Sequence, residues 1–182
     1  MSKIREDLTL AKSSFSHIID VPVEKVDIGQ WLFSLSEAEY QRCCPPDHIA
    51  VGTTKTEDGR LMSINVEKIG TSLSIQHYIG EVVEKHKCRM VSMTDIFISN
   101  EQRTQMKVIW ELSVKPVNAD QTEFTNSVVT HPSEHLLSIF ENQGLTFEQA
   151  STSRQKISED HNRREAPLFA ESIARAARGE VH

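Results

Sequence analysis

The segment "TQMKVIWELSVKP" sets Met106, Val108, Trp110, Leu112 and Val114 on one side and Gln105, Lys107, Glu111 and Ser113 on the other, the two-residue period of a strand with one buried face. The same period runs through most of residues 48 to 131. "LMSINVEKI" aligns Met62, Ile64 and Val66, "SLSIQHYIGEVVE" aligns Leu73, Ile75 and Ile79 with His77 among them, and "TEFTNSVVT" aligns Phe124, Asn126 and Val128. "CRMVSMTDIFIS" reads as a further strand with apolar residues on both faces. Asp58-Gly59 suits a tight two-residue turn, and Gly70 and "VNADQ" mark other short connections. Five or six strands joined this way predict an antiparallel meander. One earlier strand, in "FSHIIDVPV", puts Phe15, His17, Ile19 and Val21 on one side.

Helical spacing appears at both ends of the meander. "WLFSLSEAEYQRC" predicts one helix, with Ser36 and Glu39 as a capping box and Pro45 and Pro46 ending it. In "HPSEHLLSIFENQG", Leu136, Leu137 and Phe140 form a stripe and Gly144 provides a left-handed end. A second C-terminal helix starts near Thr146, with Gln149 completing a capping box, and runs to about Arg178. Pro167 predicts a kink in it, or two helices meeting end to end.

The fold class expected is α+β: a curved antiparallel sheet wrapped around a long C-terminal helix, with an extra short helix before it. One domain is expected over residues 1–182, residues 1–14 being a flexible N-terminus. On the "TQMKVIWELSVKP" and "TEFTNSVVT" pair running into the C-terminal helical region, the chain resembles the START-like, helix-grip superfamily (SRPBCC) over about residues 15 to 178. That superfamily includes polyketide cyclases, plant pathogenesis-related proteins and lipid-transfer domains. The resemblance implies a cavity between sheet and helix holding a hydrophobic or amphipathic small molecule, and no shared reaction.

Composition narrows the partners. A net charge of −6 opposes a broad phosphate-binding surface, so no nucleic acid partner is expected. No uncharged apolar run approaches membrane-spanning length, so no membrane insertion is expected. Cys43, Cys44 and Cys88 form an odd set without a C-x-x-C pair and fit a cytoplasmic protein. A homodimer is left open.

Four polar side chains fall on otherwise apolar faces: His17, His77, Asn126, and His161, which shares a helix face with Ile157 and Leu168. Each either pairs within a solid core or borders a cavity. The candidate ligand-binding set is His77, Asn126 and His161 with Met106, Trp110 and Phe169 as apolar wall, because a few convergent polar groups in an apolar pocket orient a ligand. The spacings His131–His135 and His161–Glu165 raise zinc, but Pro132 puts His131 outside the helix, and neither metal nor cofactor is assigned. The function expected is binding of a hydrophobic or aromatic small molecule. The alternative is a cyclase- or dehydratase-type enzyme with His77 or His161 as general acid or base; no catalytic residue is assigned.

Overall fold

The computed structural model describes residues 2–98 and 102–180, so Ser99, expected to end a strand, lies outside the described residues. Seven strands form one antiparallel sheet: β1 (Ala11–Ile19), β2 (His48–Lys55), β3 (Leu61–Ile69), β4 (Ser72–Val83), β5 (Lys87–Ile98), β6 (Gln102–Pro116) and β7 (Thr122–Pro132). Their spatial order is β1-β7-β6-β5-β4-β3-β2, so the expected meander is present and β1 closes its far edge against β7. The turns fall where glycine permits them: Gly59 and Gly70 have φ of 85° and 64°.

The helices are α1 (Ile28–Ser34), α2 (Glu37–Cys43), α3 (Glu134–Asn142) and α4 (Phe147–Ala177). The single helix expected before Pro45 is two. Asp27 caps α1 by accepting from the Gln30 amide, and Ser36 caps α2 by accepting from the Glu39 amide. The Glu39 carboxylate does not close a box; it is fully buried and pairs with Arg42 and Arg175 instead. Thr146 and Gln149 do form a complete capping box, and α4 continues through Pro167 as one helix of 31 residues, ~46 Å long at ~1.5 Å per residue. It packs most closely on β1. Residues ahead of β1 are tied to β7, with the Arg5 and Leu10 amides donating to Pro132 and Thr130 carbonyls, each at 2.9 Å.

On β6 the inward column is the expected Met106, Val108, Trp110, Leu112 and Val114, all buried. On β3 and β4 the expectation is inverted. The buried columns are Ser63, Asn65 and Glu67 on β3, and Ser74, Gln76 and Tyr78 on β4. Met62, Ile64 and Val66 lie half-buried on the outer face, opposite Ile79, His77 and Ile75 respectively. Alternation fixes which residues share a side, but it assigns the inside by apolarity alone, and here the inside of these strands faces a polar space.

Candidate functional site

Polar side chains meet where the inner faces of β3 and β4 oppose α4. On α4, Arg154, Ser158, His161 and Glu165 recur every three to four residues and, with Asn162, share the face toward the sheet; beyond them the face turns apolar with Ala166, Phe169 and Ile173. Directly after α2, Asp47 and then His48, the first residue of β2, enter the same space.

Glu165 is the hub. Its Oε1 lies 3.0 Å from His48 Nε2, and its Oε2 accepts from Asn126 Nδ2 at 2.7 Å. Asn126 Oδ1 in turn accepts from Trp110 Nε1 at 2.8 Å. Glu67 Oε2 accepts from Gln76 Nε2 at 3.0 Å, and its Oε1 accepts from the Tyr40 hydroxyl. The His48 ring stacks on Tyr40, centroids 4.0 Å apart, while its Nδ1 faces the Tyr40 carbonyl at 2.8 Å. His161 Nδ1 lies 2.9 Å from Asp47 Oδ2, and Arg164 holds the same carboxylate oxygen.

Both nitrogens of His48 face acceptors, an arrangement that favours the doubly protonated ring. Burial opposes that charge, but the bond to Glu165 and the fields of Glu67 and Glu165 outweigh it and raise the pKa. Burial likewise opposes charge on Glu165, yet its bond to His48 and the nearby imidazoles hold its pKa below the ordinary value. Burial, reinforced by Glu67, pushes the Tyr40 and Tyr78 phenols well up, so both stay neutral. The Cys43 thiol is pushed up to about 12 by burial and stays a thiol.

Beside this network lies a cavity of about 40 Å³, bordered by Gln76, Tyr78, Trp110, His161, Asn162 and Glu165 among others. That is room for about three waters. Gln76 Oε1 and Asn162 Oδ1, both buried, have no hydrogen-bond partner among the described residues. Met106 and Arg154 border this cavity and also a second cleft of about 220 Å³, whose walls include Leu10, Ile96, Leu136 and Phe140. Burial lowers the pKa of the Arg154 guanidinium, with Glu67 acting against it, and among the described residues no group accepts a hydrogen bond from it.

Of the candidate set, Asn126, Trp110, Met106 and His161 meet at this site. His77 does not: it is half-buried on the outer face of β4, across from Ile64, because Gln76 and Tyr78 take the inward positions. Phe169 is fully buried just beyond the network, 5.7 Å from the His48 ring and 5.2 Å edge-on to Trp31, and packs there without bordering the cavity. His17 shares the inner side of β1 but is exposed. Sequence reading missed His48, Glu67, Gln76 and Arg154. The signal available was the paired polar columns of "SINVE" and "SLSIQ", as regular as the apolar columns beside them.

No protein-family profile matches the chain, and no curated protein matches it in sequence. Solved structures do match in fold. A START superfamily protein from Mycobacterium smegmatis aligns with a TM-score of 0.55 at 10% identity, over 93% of this chain and 99% of that one. The Zhui aromatase/cyclase from Streptomyces sp. R1128 aligns at 0.58 and 11% identity, over 99% and 97%. The di-domain ARO/CYC StfQ from the steffimycin biosynthetic pathway aligns at 0.62 and 11% identity, over 96% of this chain and 53% of that one. The fold is therefore the helix grip that these structures share, an antiparallel sheet packed against a long C-terminal helix. Among the described residues, no helix is long and apolar enough to cross a membrane.

Proposed function

We propose that this protein binds a hydrophobic or aromatic small molecule bearing an acidic group, with the apolar part in the outer cleft and the acid on Arg154. The carrying observation is the position of that guanidinium, at the junction of the two spaces and without a carboxylate partner among the described residues. In the outer cleft, whose wall is mostly apolar, that cation favours an anion. The inner cavity, about 40 Å³, is too small for a ring, so a ring belongs beside Leu136, Phe140 and Met106.

Thermal melts with aromatic carboxylates and their matched primary amides test this reading. The carboxylates raise the melting temperature of wild type more than the amides do, and Arg154→Met removes the difference. Equal shifts for both series, or none, would overturn it. The enzyme reading is also favoured by one observation: His161 borders the cavity with its Nδ1 oriented by Asp47, as a general acid or base would be.

A further inference from the structure

We propose that His48, Glu67, His161 and Glu165 form a binding site for one divalent first-row transition-metal ion, at the edge of the inner cavity. One donor atom from each of these four buried residues lies within 4.8 Å of all the others. Three separate elements supply them: β2, β3, and α4 through an i,i+4 pair. His48 Nε2 is 3.0 Å from Glu165 Oε1 and 3.8 Å from Glu67 Oε1, and His161 Nε2 is 3.8 Å from Glu165 Oε1. Donors held ~2.0–2.2 Å from one ion stand ~3 to 4.3 Å apart, so a contraction of under ~1 Å closes the set.

The surroundings orient every donor inward. The Nδ1 of His48 faces a backbone carbonyl and that of His161 a carboxylate, the two partners that ordinarily fix a metal-binding imidazole, which leaves both Nε2 atoms on the shared centre. Both carboxylates have their Oε2 tied by a side-chain amide, Gln76 for Glu67 and Asn126 for Glu165, so both Oε1 atoms turn to the same centre, that of Glu67 while also accepting from the Tyr40 hydroxyl. A divalent ion would balance the two carboxylates, bridging the 3.0 Å gap between His48 Nε2 and Glu165 Oε1 in place of their direct contact. The adjoining cavity leaves room for a water on the ion, and Gln76 Oε1 and Asn162 Oδ1, without partners among the described residues, are acceptors for its protons.

Two imidazoles with two carboxylates suit zinc, cobalt, iron or manganese better than calcium or magnesium, which favour all-oxygen sites. Cys44 Sγ stays outside the set, since its near neighbour is His161 Nδ1 at 3.6 Å, the nitrogen already facing Asp47. The site uses His161 and Glu165 from the weak helical spacing seen in the sequence but not His131 or His135. His131 Nδ1 bonds the Leu8 carbonyl, and His135 lies in the first turn of α3.

The test is metal loading of chelator-stripped protein with Co²⁺ and Zn²⁺, without organic ligand, so that its result is independent of the Arg154 reading. Expected are one equivalent of tightly held ion, a visible Co²⁺ spectrum abolished by Zn²⁺, and X-ray absorption showing two imidazole nitrogens. Glu67→Gln and Glu165→Gln should each weaken binding about 100-fold or more, and Gln76→Leu, which frees a carboxylate without removing it, about 10-fold or more. Less than stoichiometric uptake by folded wild type would overturn the proposal, as would unchanged affinity in a folded Gln variant. Should the variants fail to fold, the imidazole count in wild type decides, and fewer than two nitrogens overturns it.

Discussion

His48 Nε2 lies 3.0 Å from Glu165 Oε1, and that contact ties the first residue of β2 to the middle of α4 across 117 positions of sequence. The imidazole is wholly inside, stacked on Tyr40, and its second nitrogen faces a carbonyl. The grip of helix on sheet at this end is therefore polar, whereas Phe169 and Ile173 make it apolar one and two turns further along.

Removing one partner of this pair leaves a charge buried without its counterion. In metal-stripped protein, Glu165→Ala is expected to cost about 3 to 5 kcal/mol of unfolding free energy, and His48→Ala a comparable amount. The double variant should cost less than the sum of the two. Urea unfolding of the four proteins measures the coupling; strict additivity would mean that the contact contributes nothing.

Glu39 gives the fold an acid sensitivity. Burial opposes its charge, but bonds from Ser172, Arg175 and Arg42 bring its pKa from 4.5 to about 2. A folded-state pKa below the unfolded one gives stability that is complete above about pH 4.5 and is lost as pH falls toward about 2. Glu39→Gln should be less stable at neutral pH and should show a flatter decline over that window. Urea midpoints between pH 2 and 7 would reveal it, and parallel curves would contradict it.

The outer face of β4 makes a contrasting case. His77→Ala is expected to change stability by no more than about 1 kcal/mol and to leave carboxylate binding unaltered. Gln76→Ala, next to it in sequence but inward, removes the donor to buried Glu67 and should cost about 1–3 kcal/mol. Paired unfolding and binding measurements on the two variants compare the faces of one strand.

That pair also marks what the sequence made legible. Periodicity, turn glycines and caps located the meander, α3 and α4, because each of these signals is local. β6 was also oriented correctly, since Trp110 and Met106 really do face the helix. On β3 and β4 both columns were visible, but which one faced inward depends on what α4 presents opposite, and Arg154, His161 and Glu165 become neighbours of Glu67 and Gln76 only after folding. Asn126 and His161 stood out as polar residues on apolar faces. His48, at the mouth of a loop, and Glu67, in a polar column, broke no pattern.

Methionine methyl NMR during titration with an aromatic carboxylate tests the central claim most directly, because Met106 lines both spaces while Met62 and Met93 lie half-buried on the outer face. A ligand held between sheet and α4 should shift the Met106 resonance and leave Met62 and Met93 in place. Movement of Met62 or Met93 with Met106 unchanged would put binding on the outer face and contradict the account.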